Sequence, residues 1–222
     1  MQLGSQTEPR LRAVESSSRA RLQVLAAALL FSTGGLAIKA CGLTGWQVAG
    51  FRSGTAAIAL ALMLPGARRG WTWRTWLVGV AYAATLLMYV QANKLTTAAN
   101  AIFLQSTAPL YLLLFGPLLL KEAIRPRDVG FMAAIAAGLG MFFLGLDPVT
   151  RTASDPATGN LIAAASGLTW GLTIAGLRWL ARSEKDAGGA AAGATVVGNT
   201  FVFLVCLPWA LPVQESAPAD WL

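Results

Sequence analysis

The chain has 222 residues, of which 55% are hydrophobic and only 12% charged, and its formal net charge is +7. Because an average soluble domain is about 25% charged, this composition excludes an ordinary soluble protein and predicts an all-α integral membrane protein. Long apolar runs without strand-like alternation exclude an outer-membrane barrel. Basic residues beside membrane spans account for the positive charge, so the partners expected are the lipid bilayer and a small-molecule solute, not nucleic acid.

Seven apolar segments follow a poorly ordered polar tail, residues 1–21, which carries four arginines. The predicted spans are 22–40, 46–64, 75–93, 98–120, 129–146, 160–178 and 190–211. Thirteen Lys and Arg fall in the tail and the loops on its side, whereas the other side has only Lys39, Lys94 and Arg151. Since cytoplasmic loops carry the excess of basic residues, we expect a multi-pass protein of the inner (cytoplasmic) membrane with its N-terminus in the cytoplasm.

Polar residues in the second span are few, and one of them is charged. Arg52 lies about seven residues into this span, roughly 10 Å below its outer edge. A guanidinium at such depth costs about 2.5–3.5 kcal/mol unless it is paired or reaches the interface. Two interpretations stay open, a structural clamp or snorkel and a contact to an anion or carboxylate.

The fourth span is uncharged from Ala98 to Leu120, long enough to cross a hydrocarbon core of about 30 Å. Pro109 lies in its middle and removes the donor for the carbonyl of Gln105, so a kink is predicted there. In hydrocarbon that carbonyl must find another partner or face a wet cavity.

In the third, fourth and sixth spans the polar side chains fall on one helical face each. A short connection makes the third and fourth spans antiparallel neighbours, so their polar faces can line one cleft. Such residues serve either as hydrogen bonds between packed helices or as the lining of a solute cavity. The bulky ones mid-membrane favour the cavity, whereas the spacing of Gly167 and Gly171 indicates packing. With Arg52, the candidate lining residues are Tyr82, Thr85, Tyr89, Asn93, Asn100, Thr107, Tyr111, Thr169, Trp170 and Thr173.

The missing residue types also limit the function. All ten Asp and Glu lie in the tail or loops, and there is no histidine. Neutral, zwitterionic or anionic solutes are therefore favoured over lipophilic cations, because a transporter of such cations needs an intramembrane carboxylate to hold them. Neither a nucleotide-binding loop, a metal-binding cluster nor a nucleophile with its base is found, so we expect no enzyme, no metal and no cofactor. For Cys41 and Cys206, buried thiols are favoured over a disulfide.

Residues 25–38 and 162–175 are similar at an offset of 137 positions. Five spans separate the two segments, so a repeated five-span unit would be inverted, as in many transporters. We therefore expect a first repeat over 22–146 and an incomplete second repeat over 159–222. The chain would then be the first seven spans of a ten-helix 5+5 protein, with an intact seven-span protein as the alternative.

Four sequence features resemble the EamA-type branch of the drug/metabolite transporter superfamily. They are FSTGGLAIKA at 31–40, Arg52, KLTTAANAIFLQSTAPLYLLLFGPLLLKE at 94–122 with Pro109 and Glu122, and GNLIAAASGLTWGLTIAGLRW at 159–179. The resemblance implies ten helices in two inverted repeats around a cavity, working by alternating access. It predicts a secondary transporter, an exporter or permease of small polar metabolites such as amino acids. A non-transporting membrane scaffold or assembly subunit is the alternative, and the oligomeric state is open.

Overall fold

The structure, a computed structural model, describes residues 7–117, 125–144, 149–150, 153–184 and 186–213. Apart from an isolated bridge between Thr150 and Ala153, regular structure in these residues is helical. The chain divides into two compact units, Met1–Ala37 and Ile38–Leu222. The α-helices of the described part are α1 Thr7–Ala40, α2 Gly45–Met63, α3 Trp73–Leu95, α4 Ala98–Gln105, α5 Ala108–Phe115, α6 Pro126–Leu144, α7 Pro156–Ser183 and α8 Ala187–Ala210.

Helix α1 begins well before the first predicted span. It continues without interruption from Thr7, so residues 7–21 of the tail are helical and not irregular as expected. After Pro9, in the first turn, there is no Gly or Pro before Gly34. Ala, Leu, Arg and Glu, which are good helix formers, make up much of this stretch, and local propensity therefore favours helix.

Local capping fixes where several helices begin. Thr44 and Gln47 form a reciprocal capping box at the start of α2, in which each side chain accepts a hydrogen bond from the other residue's backbone amide. Thr72 and Thr75 do the same for α3. Asp155 caps α7, where Pro156 occupies the first turn, the position in which a missing N–H costs nothing.

Four described helical segments are long and apolar enough to cross a membrane by themselves. They are Arg21–Ala40 within α1, and α3, α7 and α8. The described residues are thus helical, with several helices able to span a membrane, as an all-α membrane protein requires, whereas the full set of seven spans stays a prediction. The predicted fourth span is divided into α4 and α5 at Ser106 and Thr107, within the turn that precedes Pro109, where the kink was predicted.

Helix α3 packs mainly along α7 and α8, and α8 packs in turn against α2. Helices α4 and α5 lie against α7. Val78 of α3, Leu180 of α7 and Ala194 of α8 form one of the buried clusters that join these helices. Helices α3 and α4 contact each other little, because α7 packs against both. The expectation that the third and fourth spans pack as neighbours therefore differs from the structure, whereas a common cleft for their polar faces stays a prediction.

The two cysteines form no disulfide with each other. Cys206 is fully buried in a cluster with Ile38, Ala49 and Val202, and Cys41 is half-buried. The sequence left a disulfide and a pair of thiols open, and in the structure both cysteines are thiols.

Candidate solute pathway

Threonines join α3 to α7 in the middle of the helices. The Thr85 hydroxyl oxygen lies 2.9 Å from that of Thr169 and 3.4 Å from that of Thr173. Thr169 and Thr173 also donate to backbone carbonyls one turn earlier in their own helix. Thr85 and Thr173 are 3% and 1% exposed, so for these two the interhelical contact is the role that the structure assigns.

A buried asparagine holds α3 and α4 to the first turns of α7. The Oδ1 atom of Asn160 accepts a hydrogen bond from the Thr96 hydroxyl at 2.7 Å and one from Asn100 Nδ2 at 3.3 Å. Asn160 and Thr96 are completely buried, and Asn100 is half-buried. Sequence reasoning did not select Asn160, although an asparagine in the first turns of an apolar helix was the available signal.

The break between α4 and α5 lies against two glycines of α7. A Cβ atom on Gly167 would stand 2.9 Å from the Leu104 carbonyl oxygen and 2.8 Å from Thr107 Oγ1. A Cβ on Gly171 would stand 2.9 Å from Cβ of Tyr111. The two glycines therefore let the broken span approach α7, which confirms their predicted packing role.

Hydroxyl groups satisfy carbonyls at the same break. The Thr107 hydroxyl donates to the Leu104 carbonyl at 2.6 Å, and the Ser106 hydroxyl donates to Ile102 at 2.7 Å. The Gln105 carbonyl oxygen lies beside Gly167, where a Cβ would come within 3.3 Å of it. Thr107 is 6% exposed, so it stabilises the break from within the protein.

Asn93 combines full burial with an unsatisfied polar atom. Its Nδ2 donates to the Tyr89 carbonyl at 2.9 Å, and its Oδ1 has no hydrogen-bond partner among the described residues. A buried amide oxygen without a partner costs about 1–3 kcal/mol, which marks the position as an acceptor that a bound water or solute would satisfy.

The remaining candidate residues keep part of their surface accessible. The half-buried set is Tyr82, Tyr89, Asn100, Tyr111, Thr169 and Trp170. Tyr89 also packs on the cluster that contains Val90 and Cys206. The large residues, which the sequence favoured as cavity lining, thus remain partly accessible, whereas most of the threonines are enclosed.

Arg52 lies in α2 and is exposed. A Cβ on Gly198 would stand 2.7 Å from Cδ1 of Tyr82, so the phenol ring lies directly on the α8 backbone. Tyr82 of α3 therefore packs on α8, whereas Thr85 of the same helix contacts the threonines of α7.

Aromatic residues mark both ends of the bundle. Trp46 and Trp209 stack with ring centroids 5.1 Å apart. At the end where α3 begins and α7 finishes, the Arg74 guanidinium lies 5.0 Å from the Trp179 ring centroid and 3.8 Å from the carboxylate of Glu184. These pairs agree with tryptophan belts at two membrane interfaces.

One carboxylate outside the spans has a perturbed pKa. The Thr158 hydroxyl and the Thr158 backbone amide donate to Asp155 and lower the pKa of its carboxyl below the usual value. Within the described ranges no three His, Cys, Asp or Glu side chains come together as metal ligands would.

No curated protein and no solved structure matches the chain. The EamA-like transporter family matches residues 19–144, more than half of the 222 residues. The chain therefore belongs to the EamA-like transporter family.

Proposed function

We propose that the protein is a secondary transporter that moves small polar metabolites, such as amino acids, across the cytoplasmic membrane by alternating access. Membership of a transporter family supports the general activity. The observation that carries the proposal further is the division among the polar residues of α3, α4, α5 and α7. Thr85, Thr107 and Thr173 are enclosed between helices, whereas the large residues Tyr82, Asn100, Tyr111 and Trp170 remain half-buried.

This division follows from what each side chain is suited to do. A threonine hydroxyl satisfies itself on a carbonyl of its own helix and can be enclosed without loss, as Thr173 is. Tyrosine, asparagine and tryptophan present larger polar groups, which pure helix packing seldom requires within a membrane. We assign the accessible group to the wall of the solute pathway and the threonines to its support.

The proposed topology places the N-terminus in the cytoplasm. Thirteen basic residues on one side against three on the other support this orientation. The five spans within 22–146 would form the first repeat, and the helices from residue 159 onward would belong to a second, inverted one.

Transport is tested with the full-length protein reconstituted into liposomes and presented with labelled amino acids. Uptake above that of empty vesicles supports the proposal, and Tyr111→Leu should reduce it at least tenfold. Gly138→Ala is the matched control, because no atom lies within 4 Å of a Cβ at that position and uptake should be unchanged.

A scaffold role makes the opposite prediction. A scaffold would be stable in membranes, but neither the wild type nor Tyr111→Leu would transport any of the labelled amino acids. Uptake by the wild type that is insensitive to Tyr111→Leu would remove this residue from the pathway but leave transport itself standing.

A further inference from the structure

Three polar side chains of α3 contain a buried atom that has no hydrogen-bond partner. In the described part of the chain, the side-chain atoms of this kind are Arg74 Nε, Gln91 Nε2 and Asn93 Oδ1. Arg74 lies in the first turn of α3, and Gln91 and Asn93 lie in its last two turns. The middle of the same helix is satisfied, since the Thr85 hydroxyl lies 2.9 Å from that of Thr169. The unsatisfied atoms therefore mark the two ends of one helix.

The end of α3 that carries two of these atoms is enclosed by its neighbours. Asn93 is 0% exposed, and its Nδ2 already donates to a carbonyl of α3, so Oδ1 is the atom left over. The Gln91 amide lies on the start of α2, because a Cβ on Gly45 would stand 3.3 Å from Gln91 Nε2. The Leu95 carbonyl accepts a hydrogen bond from the backbone amide of Asp155, 3.1 Å away, at the start of α7. Contacts to α2 and α7 thus close this end, which the predicted topology places at the outer face of the membrane.

Other buried groups at the same end are satisfied. Asn160 and Thr96 are fully buried like Asn93, yet Asn160 Oδ1 accepts hydrogen bonds from both Thr96 and Asn100. These contacts stabilise the closed arrangement of α3, α4 and α7. Asn93 and Gln91 act in the opposite direction, because closing this end removes them from water without giving each polar atom a partner.

The penalty for these atoms applies only while this end of α3 is closed. When the end opens, water satisfies Asn93 Oδ1 and Gln91 Nε2, so each atom favours the open state over the closed one. A penalty of the usual size for one such atom changes the ratio of the two states by about 5- to 150-fold. Buried groups left unsatisfied in this way are expected at functional positions and not in ordinary helix packing.

We propose that α3 is the gating helix of the transporter and that Gln91 and Asn93 form its outer gate, where they keep the closed state from becoming too stable. This deepens the proposed transport function and rests on it, since alternating access requires the two ends of the pathway to open in turn. Arg74 has the corresponding position at the inner end. Its Nε is buried, and its guanidinium carbon lies 5.7 and 5.0 Å from the ring centroids of Trp73 and Trp179.

The test measures how often the outer end opens. The full-length protein, with Cys41→Ser, Cys206→Ser and the reporter Tyr111→Cys, is produced in spheroplasts, and a membrane-impermeant methanethiosulfonate is added so that it reaches only the outer face. We expect Asn93→Leu and Gln91→Met each to slow modification of the reporter about 5- to 150-fold. The midpoint of thermal unfolding should be unchanged or higher in both, because each variant removes an unsatisfied buried group and keeps a similar volume.

Two further variants give the opposite sign and the control. Asn160→Leu removes a satisfied contact at the same end, so it should speed modification of the reporter. Gly138→Ala is the matched control, because its Cβ would meet open space and the rate should not change.

Modification rates that stay the same in Asn93→Leu and Gln91→Met would overturn the gate, and so would a reporter that is not modified in any variant. A lower unfolding midpoint of Asn93→Leu at an unchanged modification rate would mean that a bound water satisfies Asn93 in the closed state, which also overturns the gate. Uptake of labelled amino acids by the wild type in liposomes is measured separately. No uptake would overturn the transport function itself, whereas uptake with unchanged modification rates would leave transport standing without this gate.

Discussion

Replacing Gly167 by alanine tests how the broken fourth span is held against α7. The new Cβ would stand 2.8 Å from Thr107 Oγ1 and 2.9 Å from the Leu104 carbonyl oxygen. Carbon–oxygen contacts normally lie at about 3.3 Å or more, so the neighbours must move by roughly half an ångström. Thr107 cannot simply rotate away, because its hydroxyl donates to that same carbonyl.

Overpacking of this kind costs about 1–3 kcal/mol. We therefore expect Gly167→Ala to lower the midpoint of thermal unfolding by several degrees, as measured by circular dichroism in detergent micelles. Gly138→Ala is the matched control, since it is also in a helix and its Cβ would meet open space. Equal midpoints for the two variants would show that α4 and α5 do not lie against Gly167 as described.

Three further variants probe separate contacts. Asn160→Leu removes the shared acceptor of Thr96 and Asn100, and we expect a loss of about 1–3 kcal/mol, read from thermal unfolding. Arg74→Gln removes a partly exposed ion pair and two ring contacts, so a loss of at most about 1 kcal/mol is expected from the same measurement. Asp155→Asn keeps a capping oxygen but does not titrate, so lowering the pH below about 4 should destabilise the wild type more than this variant, as followed by unfolding at several pH values.

The pH dependence has a definite sign. Because folding lowers the pKa of Asp155, its contribution is present above the unfolded value and is lost as the pH falls through the folded one. A parallel fall in the stability of the wild type and of Asp155→Asn would contradict this.

The other two variants can also contradict the structure. Unchanged stability of Asn160→Leu would mean that the hydrogen bonds of Asn160 to Thr96 and Asn100 are not needed where α3 and α4 meet α7. A large loss of stability in Arg74→Gln would mean that the Arg74–Glu184 ion pair is better shielded from solvent than its exposure indicates.

Helix positions followed closely from hydrophobic runs and charge, since the predicted bounds of α2, α3 and α8 fall within a few residues of those observed. Pro109 also predicted the interruption of the fourth span, because a missing donor is a local property of the chain. The helical continuation of α1 to Thr7 was not predicted, because residues 7–21 are polar and the hydrophobic run begins only after them.

Helix neighbours were harder to predict than helices. A four-residue connection indicated that α3 and α4 would pack together, but α7 packs against both. Gly167 and Gly171 of α7 lie against α4 and α5, and Gly176 lies against Val78 of α3. Helical periodicity places Thr85 and Tyr89 on one face and cannot tell which of them a neighbouring helix will cover. Asn160 was missed for the same reason, since its role depends on partners that lie 60 and 64 residues away in sequence.

The central claim is that the accessible polar residues of the broken span face water within the membrane. The most direct test uses a protein in which Cys41→Ser and Cys206→Ser have removed the native thiols. A single cysteine is then placed either at Tyr111 or at Phe103, which is 64% exposed. A charged, membrane-impermeant methanethiosulfonate is then added to intact liposomes. We predict that Tyr111→Cys is modified and that Phe103→Cys, facing lipid, is not. Modification of Phe103→Cys with protection of Tyr111→Cys would contradict the account.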